Sequence, residues 1–247
     1  MNKLSGKTAL ITGAAKRLGR ATALALADNG INTIIHYNNS EQEASETVEL
    51  SKAKGVLSGK IQYDFRNLNG IKSFVKAALS ITGNLDFIIN SASIYQEDNL
   101  EILNETNVDR SIHLNTMAPF VLAREFKNIC TRGSIINFLD ARMTDYEPKH
   151  ISYQLSKQLL FNLTKMMSLE FAPDIRVNAV APGIIIPDNI NNEESLFSLK
   201  EGNPLKRIGT PDEVSSTVLF LLQNEFITGQ VIYVDGGRNL RGNVYGY

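Results

Sequence analysis

Cysteine is almost absent: Cys130 is the one cysteine in 247 residues. No disulfide can form within the chain, so nothing points to an oxidising compartment. One cysteine and three histidines, with no paired spacing, are too few for a structural zinc site. No lysine/arginine run accompanies the formal net charge of -1. The near-neutral balance removes the main electrostatic argument for nucleic acid or an anionic membrane surface as partner, although a local basic patch is still compatible with it. No apolar run approaches the roughly 20 residues that a membrane helix needs. The opening MNKLSGKTALITGAA meets glycine and threonine too early for a signal-peptide core. The expectation is a soluble cytoplasmic protein.

What is present is alternation. Short apolar runs read as strands over 8–12, 32–37, 59–65, 85–92, 133–140, 175–183 and 230–237. Between them, amphipathic segments read as helices over 17–30, 41–54, 70–82, 107–129, 152–171 and 210–222. The last opens with a Thr cap and a Pro in its first turn, both helix-start signals. Strict strand–helix alternation implies parallel strands with right-handed crossovers. Several strands are continuous apolar runs, as strands covered on both faces should be. Seven strands with their helices use the whole length, so one doubly wound α/β domain, 1–247, with a parallel sheet flanked by helices, is sufficient.

The stretch ITGAAKRLGR joins the first strand to the first helix. Gly13 and Gly19 let the chain turn tightly and approach a ligand, while backbone N–H groups of the helix start, around Leu18, face a pyrophosphate. The spacing is T-G-x-x-x-R-x-G, and its place after the first strand makes nucleotide binding the expectation. An acidic residue ending the second strand would suit the ribose hydroxyl of NAD. Here that end reads His36, Tyr37, Asn38, Asn39, Ser40, with no carboxylate before Glu41. An uncharged polar end with Arg17 nearby suits a 2′-phosphate, hence NADPH. Ser40 also reads as the N-cap of the next helix, and the two roles are compatible.

Six ordered pieces carry a resemblance over nearly the whole chain. They are TGAAKRLG, NSAS at 90–93, Asn115 in HLNTMAP, Tyr153 and Lys157 in YQLSK, RVNAVAPG and the terminal VDGG. The sequence resembles the short-chain dehydrogenase/reductase family, which implies a single Rossmann-type domain and a homotetramer or dimer. Within it, the likeness is to pteridine reductases and bacterial dihydromonapterin reductases. Arg17, the HYNNS ending, the aromatic of NSASIY, and Asp140 where the wider family has serine carry that likeness.

Tyr153 and Lys157 stand four apart on one helix face. A free tyrosine has a pKa near 10, and a nearby ammonium would favour the phenolate and lower it. The resemblance implies that Tyr153 gives a proton to the substrate, that Lys157 holds the nicotinamide ribose, and that Asn115 helps hold the lysine through a water. Asp140 lies thirteen residues before Tyr153, at the carboxyl end of the fifth strand. An ionised aspartate only accepts hydrogen bonds. It would repel charge building on a carbonyl oxygen, and it suits a substrate offering N–H donors, as a pterin does. It also reads as a cap for the following turn.

The resemblance further implies that Asn90, Ser91 and Ala92 pack on the adenosine side and that Ser93 meets cofactor and substrate. Tyr95 would stack on the pterin, or alternatively pack as a loop aromatic. Asp64 and Phe65 would meet the adenine, and Pro182 and Gly183 would pass beside the nicotinamide. Arg17, Ser93, Tyr95, Asp140 and Tyr153 are the implied substrate contacts. The polar segment 184–203 reads as a substrate lid or as a surface connection. Arg238 or Arg241 would reach a neighbouring site or lie in an exposed tail. The expected activity is NADPH-dependent reduction of dihydromonapterin, dihydrobiopterin or dihydrofolate. The alternatives are a 3-oxoacyl carrier-protein reductase or another NADPH-dependent carbonyl reductase of the same family, and a nucleotide-sensing regulator.

Overall fold

The structure, a computed structural model, describes residues 3–145, 148–185, 197 and 199–240. The chain runs β1 (Thr8–Ile11), α1 (Arg17–Asp28), β2 (Asn32–Tyr37), α2 (Glu41–Lys52), β3 (Ser58–Gln62), α3 (Ile71–Thr82) and β4 (Phe87–Asn90). It continues through α4 (Glu105–Ile112), α5 (Ala118–Ile129), β5 (Gly133–Phe138), α6 (Ile151–Glu170), β6 (Ile175–Pro182), α7 (Pro211–Gln223) and β7 (Val231–Val234). The strands form one parallel sheet in the order β3-β2-β1-β4-β5-β6-β7. This is the expected seven-stranded α/β architecture. The strand order reverses at β1, which pairs β2 on one side and β4 on the other. Loops leaving the carboxyl ends of β1 and β4 therefore go to opposite faces and open a crevice between them.

Successive strand residues point to opposite faces, and each face has its own core. Ile11, Ile35, Ile89 and Ile136 join the core under α1 and α7. Leu10, Ile34, Ile88 and Ile135 join the core under α3 and α5. Phe126 of α5 is the bulkiest fully buried side chain. Phe126→Ala is expected to cost about 3–5 kcal/mol, measured as a lowered chemical-denaturation midpoint with an unchanged slope. A loss below about 1 kcal/mol would mean that this core collapses around the gap.

Two expectations are corrected. The second strand matches its expected bounds, 32–37, but the other strands end short of their apolar runs, because residues beyond the last ladder pair turn into the cleft loops. The single helix expected over 107–129 is instead α4, a π-turn at His113–Met117, and α5. Pro119 lies in the first turn of α5. In an uninterrupted α-helix its ring would strike the carbonyl of residue 115, and the wider turn relieves that clash. Asn115 sits in this widened turn.

Candidate active site

A cleft of about 870 Å³ opens at the carboxyl ends of β1, β4, β5 and β6. Its charged lining is strongly one-sided: Lys16, Arg17, Arg66, Arg110, Arg142, Lys157 and Arg238 against Asp64 and Asp140. A chain with net charge -1 thus concentrates its cations where an anionic ligand would sit.

At one end is the turn between β1 and α1. Gly13 has φ +65°, and a Cβ there would lie 2.9 Å from the Ala92 Cα. A Cβ on Gly19 would lie 2.4 Å from the Gly13 carbonyl oxygen. Both positions therefore need glycine. Arg17 opens α1 with a left-handed φ of 53°. Lys16, the N-cap, makes no side-chain cap bond, and a helix N-terminus is a favourable place for an anionic group. His36 supports the turn from below. The Gly13 N–H donates to His36 Nδ1 (3.1 Å), so Nε2 carries the proton and donates to the Tyr63 carbonyl (3.0 Å). Burial holds the imidazole pKa down at about 4, so it stays neutral at physiological pH. Thr12 Oγ1 accepts from the N–H groups of Ser91 and Ala92, both at 3.0 Å, and ties the β4 loop to the β1 loop.

At the other end Asp140 follows β5 and uses its two oxygens separately. Oδ1 accepts from the Arg142 N–H (2.8 Å) and caps the short turn Ala141–Thr144. Oδ2 accepts from the Tyr153 hydroxyl (3.0 Å). The cap expected of Asp140 is thus present on one oxygen, while the other faces Tyr153. Arg142 Nε lies 3.6 Å from Asp140 Oδ1, and its Nη2 donates to the Tyr95 hydroxyl (2.8 Å). The Tyr95 ring meets the Tyr153 ring edge-on at 4.8 Å and stacks on His150 at 3.9 Å. Tyr95 itself is 53% exposed and lines the cleft.

The expected lowering of the Tyr153 pKa by Lys157 is corrected here. Burial first, then the Asp140 carboxylate, push the phenol well above its ordinary range. Lys157 Nζ donates to the Phe138 carbonyl (2.7 Å) and lies over the Tyr153 ring, 5.6 Å from its centre. The tyrosine therefore holds its proton at neutral pH, as a proton donor must. Lys157 is itself buried, which brings its pKa down to about 8.

A depressed ammonium pKa means that the unfolded chain binds this proton more tightly between pH 8 and the ordinary 10.5. The penalty is complete below about pH 8 and is relieved as pH rises through that window. Lys157→Met is therefore expected to stabilise the chain near pH 7, by on the order of 3 kcal/mol. The advantage should shrink toward pH 10 in denaturant titrations. A variant no more stable than the parent near pH 7 would count against this.

The cleft brings together Gly13, Arg17, Leu18, Gly19, His36, Asn38, Asn39, Asp64, Phe65, Ser91, Ala92, Ser93, Tyr95, Asp140, Tyr153, Lys157, Pro182 and Gly183. Tyr37, Ser40, Asn90 and Asn115 stand off its wall. Tyr37 is buried in the core under α1. Ser40 is the N-cap of α2 but makes no side-chain cap bond. Asn90 donates to Asn137 Oδ1 (2.8 Å) inside the sheet. Asn115 bonds the Ser93 hydroxyl, both backbone groups of Ile94 and the Ser156 hydroxyl, and makes no direct bond to Lys157 among the described residues. Asp64 is held by Arg66, whose Nε donates to Oδ2 (2.8 Å). Ile184, Ile185 and Leu199 line the cleft, while the middle of the 184–203 segment falls outside the described residues. Arg238 lines the cleft of its own chain, and Arg241 falls outside the described residues.

Sequence reasoning missed Arg142, His150 and two glutamines. Gln154 Nε2 donates to the Arg142 carbonyl (2.9 Å) and Gln158 Nε2 to the Met143 carbonyl (2.7 Å), so α6 grips the turn that carries Asp140. The signal was present as glutamines at i and i+4, each one residue after Tyr153 and Lys157. Among the described residues no cluster of His, Cys, Asp or Glu is placed to hold a metal ion, and no helix is long and apolar enough to cross a membrane.

A parallel doubly wound sheet with a basic cleft at its switch point and a tyrosine–lysine pair beside it defines a nucleotide-dependent oxidoreductase of the Rossmann type. A family model described as enoyl-(acyl carrier protein) reductase matches residues 13–239. The chain belongs to the short-chain dehydrogenase/reductase family. It is 35% identical over 239 residues to a Staphylococcus epidermidis 3-oxoacyl-[acyl-carrier-protein] reductase, FabG, covering 94% of this chain and 98% of that one. Among solved structures it resembles the FolM alternative dihydrofolate reductase 1 of Brucella canis complexed with NADP, with a TM-score of 0.91 and 30% identity over 100% of this chain and 99% of that one. It also resembles a Burkholderia cenocepacia short chain dehydrogenase in complex with NADP, with a TM-score of 0.89 and 26% identity over 96% of this chain and 100% of that one.

Proposed function

We propose that the chain is an NADPH-dependent reductase of a dihydropterin, with dihydromonapterin, dihydrobiopterin and dihydrofolate as candidate substrates. The observation that carries this is the Asp140 Oδ2–Tyr153 hydroxyl bond of 3.0 Å beside the exposed Tyr95 ring. NADPH fits the residues present. Gly13, Leu18 and Gly19 would hold its pyrophosphate, and Arg17, Asn38 and Asn39 its 2′-phosphate. No free carboxylate competes at the end of β2, because Glu41 is paired with Lys60 (2.8 Å). Asp64 and Phe65 would flank the adenine. Ser91 and Ala92 would line the adenosine side, and Pro182 and Gly183 the nicotinamide side. Lys157 would turn from Phe138 toward the nicotinamide ribose. When bound, NADPH supplies the hydride.

The chain's own residues supply the rest. Tyr95 offers a flat, half-exposed ring for the pterin, in an offset stacking worth roughly 0.5–1.5 kcal/mol beyond burial. Asp140 accepts from the substrate's ring N–H or amino group. Tyr153 holds the transferable proton, and after its transfer the Asp140 carboxylate would pass a proton taken from solvent water back to the Tyr153 oxygen. Arg142 balances the Asp140 charge and fixes the Tyr95 hydroxyl. The relative complexed with NADP and described as an alternative dihydrofolate reductase supports this reading.

One observation favours a second reading: the 35% identity to a 3-oxoacyl-[acyl-carrier-protein] reductase. Asp140 argues against it, since a carboxylate beside a developing oxyanion opposes the charge that an oxyanion site must stabilise. The test is purified protein with NADPH and a panel of dihydropterins and 3-oxoacyl thioesters, followed by loss of nicotinamide absorbance. Turnover of a thioester with none on any pterin would overturn the first reading in favour of the second.

A further inference from the structure

The helix that carries Tyr153 and Lys157 starts without a cap of its own, since His150, the N-cap of α6, makes no side-chain cap bond. Its first turn is held from elsewhere in the chain. Asp98 is buried at 1% exposure. Its Oδ1 accepts from the Ser152 N–H (3.1 Å) and its Oδ2 from the Ser152 hydroxyl. The Ser111 hydroxyl of α4 lies 3.0 Å from that same hydroxyl. The Asp98 N–H donates to the Lys149 carbonyl (2.9 Å), and residues 98 and 150 pair as a parallel bridge. His150 Nδ1 lies 2.9 Å from the Gln96 carbonyl, and its ring stacks on Tyr95. Residues 95–98 are thus laced onto residues 149–152. A helix N-terminus has donors without intrahelical partners, and an acidic side chain there is doubly favoured, by those bonds and by the dipole.

We propose that Asp98 is a positioning residue. Through Ser152 it fixes the first turn of α6, and so places the Tyr153 hydroxyl against Asp140 while the same segment presents the Tyr95 ring. The lacing ties substrate shelf and proton donor into one unit, so neither moves without the other. The proposal rests on Tyr153 as proton donor, for whichever substrate class is reduced.

Asp98→Ala leaves the Ser152 N–H and hydroxyl without their acceptor. Asp98→Asn can accept from the N–H and donate to the hydroxyl, and so keeps both contacts. Asp98→Ala is expected to lower kcat about 30-fold, since misplacing a reacting group by an ångström costs on the order of a hundredfold. KM for NADPH should stay within about twofold, and the solvent isotope effect on kcat should rise as proton transfer becomes limiting. Asp98→Asn should return kcat to within about threefold of the parent. Ser152→Ala removes only the hydroxyl contact and serves if Asp98→Ala does not fold; about a fivefold loss in kcat is expected. Parental kcat in Asp98→Ala, or in Ser152→Ala if the former does not fold, overturns the proposal. So does an equal loss of kcat and NADPH affinity.

A second measurement needs no substrate. Deuterium uptake by the 149–156 peptide of the full chain should rise in Asp98→Ala, or in Ser152→Ala in its place, while uptake in α1 stays at the parental level. Unchanged uptake at 149–156 overturns the proposal. Failure of every pterin with the exchange effect intact sinks the substrate reading and leaves Asp98 standing.

Discussion

Asp140→Ser is expected to lower kcat for dihydropterin reduction by about 100-fold, at the lower end of what a positioned proton-transfer group contributes. Serine still fits the turn, and its hydroxyl can cap the Arg142 N–H as Asp140 Oδ1 does now (2.8 Å). What it cannot do is accept a bond from the Tyr153 hydroxyl through a second oxygen while holding the cap. Nor can it offer a charged acceptor to an amino group. The same change should improve turnover of a simple ketone or 3-oxoacyl thioester, because the repulsion of an oxyanion is gone and a donor has appeared. The ratio of kcat/KM for pterin and carbonyl substrates is the measurement. A ratio that does not move would remove Asp140 from the specificity argument.

Tyr153→Phe should cost more, about 10²–10⁴-fold in kcat, and its effects should be confined to chemistry. The ring stays, so the edge-on contact with Tyr95 at 4.8 Å stays too. NADPH affinity, read by quenching of nicotinamide fluorescence, should change little. The pH dependence should distinguish it further. The Tyr153 phenol is held well above its ordinary range by burial and by Asp140, so the parent should show no loss of kcat from phenol ionisation at neutral pH. A parental rate that falls between pH 6 and 8 as the phenol deprotonates would overturn its raised pKa, and a Tyr153→Phe variant within about threefold of the parent would mean that the proton comes from elsewhere.

Much of this arrangement could be read before any coordinates. Strand–helix alternation determined a doubly wound sheet, because only parallel strands joined by helical crossovers satisfy that pattern. The glycines of ITGAAKRLGR announced a tight turn, and the i, i+4 spacing of Tyr153 and Lys157 put both on one helix face. The helix break near Asn115 was missed in the expected single helix over 107–129, although Pro119, whose ring forbids an uninterrupted helix, carried the signal. The electrostatics of the pair was not legible. Residue spacing places a lysine near a tyrosine, but only the fold buries the phenol, brings in the Asp140 oxygen at 3.0 Å and turns Lys157 to the Phe138 carbonyl. A pKa depends on that surrounding field and on lost hydration, neither of which is a property of sequence neighbours.

The contacts over long sequence separation were equally hidden. Arg142 and Tyr95 are 47 residues apart and Asp98 and Ser152 are 54 apart. Nothing in either local pattern names the other partner. The sequence by itself determined the sheet, the glycine turn after the first strand and the shared helix face of Tyr153 and Lys157, because those follow from local periodicity and backbone sterics. The tertiary structure decided how that tyrosine is charged and what holds it in place, because burial and partners drawn from distant loops exist only once the crossovers have closed.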